Sequence, residues 1–461
     1  MTEQSARVVI CGAGMAGISA AYSLAVRHGV RDVVLVDERP PLSLTSAVST
    51  ECYRNWWPGP GDAMVALMNH SLDLIEQLAR QTGNAFHLNR RGYLFATAQE
   101  ARIQDFRQAG EEASSLGAGP LREQRGRPDD PAYLPAPDHG FEGQPTGADL
   151  ITDPTMIQAH FPYLSPETVA ALHVRRAGWF SAQQLGSLML QQAQEQGVRL
   201  IRARVEGVSL AEGRVQSVRL GGGEGPANFT AEHFVIAAGP LLKEVAAMVG
   251  VELPVFCELH TKVAIHDRLG ALPRNAPLVI WADPQRLPWT AEERSRLEED
   301  AGARWLLDEF PAGVHTRPEG GADSQVALML WTYHTEPVAP VLPPVSADRH
   351  YPEVVLRGLS TAIPAMRAYF ERLPKPQVDC GYYTRTVENR PLIGPLPLRG
   401  AHVLGALSGF GIMASPAAGD LLAAHLTGSE LPSYAPWFLL ERYQDSEYKR
   451  LLEDWGDTGA L

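Results

Sequence analysis

Val8-Val9-Ile10-Cys11-Gly12-Ala13-Gly14-Met15-Ala16-Gly17 is the stretch that decides the fold class. Its four leading apolar residues read as a short parallel strand buried on both faces. Ile18 to Arg27 then sets Ile18, Ala21, Tyr22 and Ala25 on one face of a helix. The glycines between them divide the work. Gly12 permits the sharp turn, Gly14 lets a pyrophosphate approach the backbone, and Gly17 lets the helix lie close on the sheet. Met15 and Ala16 open that helix, whose N–H groups and dipole favour phosphate. A second strand, Val33-Val34-Leu35-Val36, ends in Asp37 and Glu38. Both stand at the cofactor edge, Asp37 as the ribose carboxylate and Glu38 as its solvated neighbour. An acid at this place favours FAD or NAD over NADP.

Outward from this signature, 461 residues exceed one ordinary core, so two or three packed units are expected. The 45% hydrophobic and 20% charged content is that of a folded soluble chain. Forty basic against 53 acidic residues give a net charge of −13, which opposes contact with nucleic acid or anionic lipid. Cys11, Cys52, Cys257 and Cys380 form no CxxC pair, which argues against a zinc site, a disulfide framework or a dithiol centre and for a reducing cytoplasm. Met1 to Arg7 is polar, and the apolar run after it is broken by glycine before it reaches membrane-spanning length.

Asp62 to Gln81 carries Met64, Leu67, Met68, Leu72, Ile75 and Leu78 at helical spacing and reads as a supporting helix. Gly110 to Pro154 is rich in Gly, Pro and charge, and its run Arg122 to Asp130 reads as a solvated excursion. Gln183 to Gly197 reads as a helix. Val198–Leu210 and Arg214–Leu220 read as paired strands, followed by Phe234-Val235-Ile236-Ala237-Ala238-Gly239. Strand-like segments at Phe256–Asp267, Leu278–Trp281 and Val326–Tyr333 predict a second domain on a mixed, largely antiparallel sheet. The fold class is thus α/β. It has a discontinuous Rossmann-type dinucleotide-binding domain (1–90, 155–250 and 376–461) and a substrate domain (91–154 and 251–375), with the substrate between them.

The segment 234–240 resembles the strand and turn of flavoproteins in the D-amino-acid oxidase, sarcosine oxidase and glycine oxidase superfamily. Thr386–Pro395 and Gly405-Ala406-Leu407-Ser408-Gly409-Phe410-Gly411-Ile412-Met413 resemble that family's closing flavin-binding segment. The resemblance implies FAD, held noncovalently in many members. It assigns Ala238, Gly239 and Val205 to the adenine side and Ser46, Ser49 and Thr50 to pyrophosphate and ring. Gly409, Gly411, Ile412 and Met413 fall to the flavin. Glycines ahead of the helix read at Ala417–Leu426 also give bare N–H groups and a positive helix end, suited to negative charge on a reduced flavin.

For the substrate, the resemblance places Arg54 where sarcosine oxidases grip a carboxylate, with Tyr53, Trp56 and Trp57 beside it. A guanidinium makes a two-pronged contact with a carboxylate; a structural ion pair is the other reading. Tyr382, Tyr383 and Arg385 lie near the stretch that carries the family's active-site tyrosine and flavin-linked cysteine. Gly381 falls where that cysteine belongs, and Cys380 then reads as a buried thiol. His260 and Lys262 lie near the family's basic residue over the flavin, or else point to solvent. His315, Arg317, Trp331, Tyr333 and His334 offer an opposite wall.

The reaction the family implies is hydride transfer from an amine-bearing carbon to flavin N5, hydrolysis of the imine, and reoxidation by oxygen or another acceptor. The expected partners are therefore an amine or amino acid and that acceptor, without nucleic acid, integral membrane association or a metal. GxSxG, HExxH and P-loop motifs are missing. A flavin monooxygenase and a noncatalytic FAD-bearing assembly or electron-transfer protein are the alternatives.

Overall fold

A computed structural model describes residues 4–223, 228–321, 323–346, 348–453 and 455–456. Met1 to Glu3 and the last five residues lie outside it. The elements that position the site are, in chain order, β1 (Gln4–Cys11), α1 (Met15–Tyr22), β2 (Val33–Asp37), β3 (Arg199–Arg202), β4 (Asn228–Ile236), β5 (Phe256–His266), β6 (Gln377–Arg385), β7 (Ala401–Gly405) and α2 (Gly411–Thr427).

Among the described residues an eight-stranded sheet is built around β1. Its parallel core runs β3-β2-β1-β4-β7. The strand order therefore reverses beside β1, and the crevice outside the carboxyl ends of β1 and β4 is where such sheets take ligands. Val9, Ile10, Val34, Leu35, Val235 and Ile236 are wholly buried, which is why these strands read as unbroken apolar runs. One face is covered by α1 and α2. They touch backbone to backbone, since a Cβ on Gly419 would lie 2.5 Å from the Ser19 carbonyl. The helix Ala63–Gln81 packs outside α2 through the apolar stripe seen in the sequence.

A ten-stranded mixed sheet holds most of the segments read as a second domain. It also takes in Ala170–Val174 and β6, which the sequence reading had grouped with the first unit. Within it β5 and β6 pair antiparallel, with Glu258 opposite Tyr383, His260 opposite Gly381 and Lys262 opposite Asp379.

Three local expectations are corrected. The strand read over Val198–Leu210 is broken at Ala203, so that β3 pairs with β2 and Arg204–Ala211 turns to pair with Arg214–Gly221. The Gly- and Pro-rich stretch 110–154 contains the short strands Leu121–Gln124 and Ala148–Ile151, and the run read as a solvated excursion begins inside the first of them, with Arg122 bound to the buried Asp149. The helix read at Ala417–Leu426 begins at Gly411 and runs through Pro416, whose missing N–H breaks one helical bond. In the fold the Ser71 hydroxyl donates to the Met413 carbonyl and accepts from Ala417 N–H, which satisfies the backbone around the interruption.

Candidate active site

A cavity of about 560 Å³ runs from the carboxyl ends of β1, β2 and β4 to the face of β5 and β6. At one end Asp37 Oδ2 accepts from Ala13 N–H at 2.7 Å and Oδ1 accepts from Arg39 N–H at 2.8 Å. Each oxygen keeps a lone pair for a further donor. Glu38 and Val205 line the same end, and Glu38 pairs with Arg204 at 3.1 Å. Burial beside Asp37 pushes the Cys11 thiol up to about 12, which makes it an inert wall.

The glycines of the β1–α1 turn have separable causes. Gly12 sits at φ +111°, and a Cβ there would lie 2.3 Å from the Ala237 carbonyl oxygen. A Cβ on Gly17 would lie 1.8 Å from the Gly12 oxygen, so it packs against the turn itself more than the sheet. Gly14 is different. It has ordinary extended backbone, and a Cβ would meet nothing closer than Ser46 Oγ at 3.5 Å. The chain leaves a cradle at Gly14 that its own packing does not need. Gly14, Met15 and Ala16 line the cavity, with Ser46 Oγ accepting from Met15 N–H at 3.1 Å. Ala238 and Gly239 line it from the end of β4.

At the other end the cavity is walled by Ser49, Thr50, His260, Lys262, Tyr382 and Tyr383. The Tyr382 hydroxyl is tied to the Val341 backbone. The rings of His260 and Tyr383 stack at 3.7 Å and 18°. His260 Nε2 lies 3.1 Å from Glu258 Oε2, and Lys262 Nζ donates to the Ser49 carbonyl at 3.0 Å. His260 and Lys262 therefore face the cavity and not solvent. Burial lowers the pKa of the Lys262 ammonium and raises the Tyr383 phenol to about 12. Gly409, Gly411 and Ile412 close the same end. Just before them Ala406 and Ser408 hold positive φ, +55° and +47°, strain in a segment that lines a ligand site. No sequence signal announced these two.

Some candidates stand outside the lining. Tyr53 is buried and donates to the Asn89 carbonyl. Arg54 is buried over the Trp57 ring at 4.6 Å, with Nε donating to the Trp56 carbonyl. Burial lowers its pKa, and burial, helped by the Arg54 charge, lowers His315 to about 4. Met413 receives the Arg54 backbone N–H on its sulfur, 3.4 Å away. Arg385 reaches back to Glu258 at 3.4 Å. Cys380 lies between two lining residues, Asp379 and Gly381, without lining the cavity, and its thiol pKa is raised by burial.

The donor set suits an extended dinucleotide. A carboxylate stands at one end, a Gly14 cradle and a helix N-terminus lie in the middle, and an aromatic and cationic wall meets the N-terminal turn of α2 at the other. Among the described residues no cluster of His, Cys, Asp or Glu is arranged to hold a metal, and no helix is long and apolar enough to cross a membrane.

The fold is similar to L-proline dehydrogenase from P. horikoshii, with 18% identity and a TM-score of 0.72 over 96% of this chain and 99% of that one. It is also similar to glycine oxidase from Geobacillus kaustophilus, with 17% identity and a TM-score of 0.68 over 95% and 98%. Glycine oxidase from Bacillus cereus matches at 16% and 0.67 over 93% and 99%. No curated protein sequence matches the chain. The sequence pattern of one family matches residues 7–425, and by that match the chain belongs to the FAD-dependent oxidoreductases.

Proposed function

We propose that this FAD-dependent oxidoreductase oxidises the C–N bond of an amine or amino acid. The observation that carries the reading is a single cavity bounded by the β1–α1 turn at one end and by His260, Lys262, Tyr383 and Gly409–Ile412 at the other. The proteins of similar fold include a glycine oxidase and an L-proline dehydrogenase, which is the chemistry we extend to this chain.

FAD, when bound, supplies the acceptor for two electrons and a proton taken as hydride from the carbon bearing nitrogen. The chain's part is to bind and orient. Asp37 takes the ribose, the backbone at Gly14–Ala16 takes the pyrophosphate, and Val205, Ala238 and Gly239 flank the adenine side. Ser46 lines the middle, while Ser49, Thr50, Gly409, Gly411 and Ile412 close the ring end, with Met413 behind them. Tyr383 and His260 form one stacked wall of the substrate space and exclude water from it. Lys262 sets a buried amine beside the ring end. Arg54, buried over Trp57 and outside the cavity lining, packs behind the substrate space and does not hold the substrate. Water then hydrolyses the released imine to carbonyl compound and ammonia or amine, and oxygen or another acceptor removes the electrons. Cys380 takes no part, and the cofactor is held without a covalent bond.

We place the enzyme in the cytoplasm, and its cofactor and substrate halves follow the two sheets. Anaerobic mixing with a panel of secondary amines and amino acids tests the reaction. At least one member is expected to bleach the visible flavin band, with one carbonyl product per flavin reduced. A yellow holoprotein that no member bleaches would overturn the reading.

A further inference from the structure

The segment Thr45–Glu51 belongs to no helix or strand, and its Thr45, Ser46, Val48, Ser49 and Thr50 line the cofactor cavity. Beyond the Met15 N–H on Ser46 and the Ala182 N–H on Glu51, three of its ties come from the other sheet. Thr45 Oγ1 donates to the Tyr382 carbonyl at 3.1 Å, and Lys262 Nζ donates to the Ser49 carbonyl. The strongest tie is Arg317, whose Nε and Nη2 both donate to the Thr50 carbonyl at 3.0 and 2.6 Å. Its Nη1 donates to the Pro318 carbonyl, and Glu319 pairs with it at 2.6 Å. Arg317 is 1% exposed, lies over the Trp179 ring at 5.0 Å and does not line the cavity. Next to it Glu51 holds φ +61°, a conformation an acidic side chain does not adopt unaided, and accepts Ala182 N–H at 2.8 Å.

An irregular segment against a ligand loses conformational freedom on binding unless it is already ordered. A charge-assisted pair of bonds to one carbonyl orders it at a single peptide and turns the Thr50 oxygen toward Arg317. We propose that Arg317 is a positioning residue for the cofactor. Acting from the second sheet and without contact, it fixes Ser49–Glu51 and so sets the affinity for FAD. By reciprocity, FAD tightens the join between the two sheets at this point.

The inference rests on FAD occupying this cavity, and the experiment separates the two. Holoprotein of the parent, Arg317→Lys and Arg317→Met is diluted, and FAD release is followed by flavin fluorescence. Amide exchange is compared at 45–51 and at Val326–Leu330. Lysine offers Thr50 one bond in place of two, so Arg317→Lys is expected to raise the FAD dissociation constant about tenfold. Exchange should quicken at 45–51 alone, and Arg317→Met should do more of both. If Arg317→Met does not fold, Arg317→Lys decides. Folded Arg317→Lys within roughly twofold of the parent, with unchanged exchange at 45–51, overturns the inference alone. A parent that binds no FAD overturns the cofactor reading and this inference with it.

Discussion

Tyr383 occupies the space that a side chain on Gly409 would need: a Cβ there would lie 2.5 Å from Tyr383 Cε2. Tyr383 comes from β6 of the ten-stranded sheet and Gly409 from the turn after β7 of the other, and the tyrosine cannot swing away freely because its ring is stacked on His260 at 3.7 Å. Gly409→Ala should therefore cost about 1–3 kcal/mol by overpacking. In a Tyr383→Ser background the same change should cost at least 1 kcal/mol less, roughly the coupling expected of touching residues. Urea unfolding of the four proteins gives the coupling; additive costs would mean the contact is not made.

Gly12 and Gly14 should fail in different ways. Gly12→Ala is opposed by positive φ and by the Ala237 carbonyl, so the fold itself suffers. Gly14→Ala has room within the chain and meets trouble only where the cofactor's phosphates lie. Its cofactor-free stability should stay within about 0.5 kcal/mol of the parent. FAD affinity should fall about tenfold or more. Calorimetry with and without FAD distinguishes the two, and a Gly14→Ala protein that retains FAD normally would dismiss the phosphate assignment.

Arg54→Lys keeps the charge and loses the fork. Because Arg54 is buried behind the cavity lining, with Nε on the Trp56 carbonyl, the variant should lose about 1 kcal/mol of stability in urea while the Michaelis constant for an acidic substrate stays within about twofold of the parent. A Michaelis constant raised about tenfold or more would bring Arg54 to the substrate.

Buried neutral histidines set an acid limit. Burial, helped by Arg175, lowers His173 to about 3 from an ordinary 6.5. Its Nδ1 lies 2.9 Å from the Tyr133 hydroxyl and its Nε2 lies 2.8 Å from the Arg91 carbonyl. Below 6.5 the unfolded chain binds a proton that the folded chain refuses, so this stability is complete above 6.5 and is lost as pH falls toward 3. His315 and His402, both near 4, act in the same sense. Urea midpoints should drop between pH 6.5 and roughly 5, ahead of most carboxylates. His173→Gln should flatten that slope, and an unchanged slope would contradict the assignment.

The nucleotide half was legible because its signals are local. Gly12, Asp37 and the apolar strands each state their role within their own stretch of chain, whereas Gly17 reads as a sheet contact and packs on the Gly12 carbonyl. The ring end was legible only through resemblance, and its physical causes were hidden. That Gly409 answers to Tyr383, or that Ala406 and Ser408 take positive φ, depends on contacts between segments far apart in sequence. Arg317 was read as part of a distant wall because nothing in His315-Thr316-Arg317-Pro318 reveals that Thr50 is its partner. Short strands such as Leu121–Gln124 escaped because edge pairing, not composition, makes them strands.

A crystal structure of the FAD-saturated protein tests the central claim most directly. The account predicts one FAD per chain, with its pyrophosphate at Gly14 and its isoalloxazine between Lys262 and Gly409–Ile412. FAD bound elsewhere, or a cavity left without it at saturation, would contradict the account.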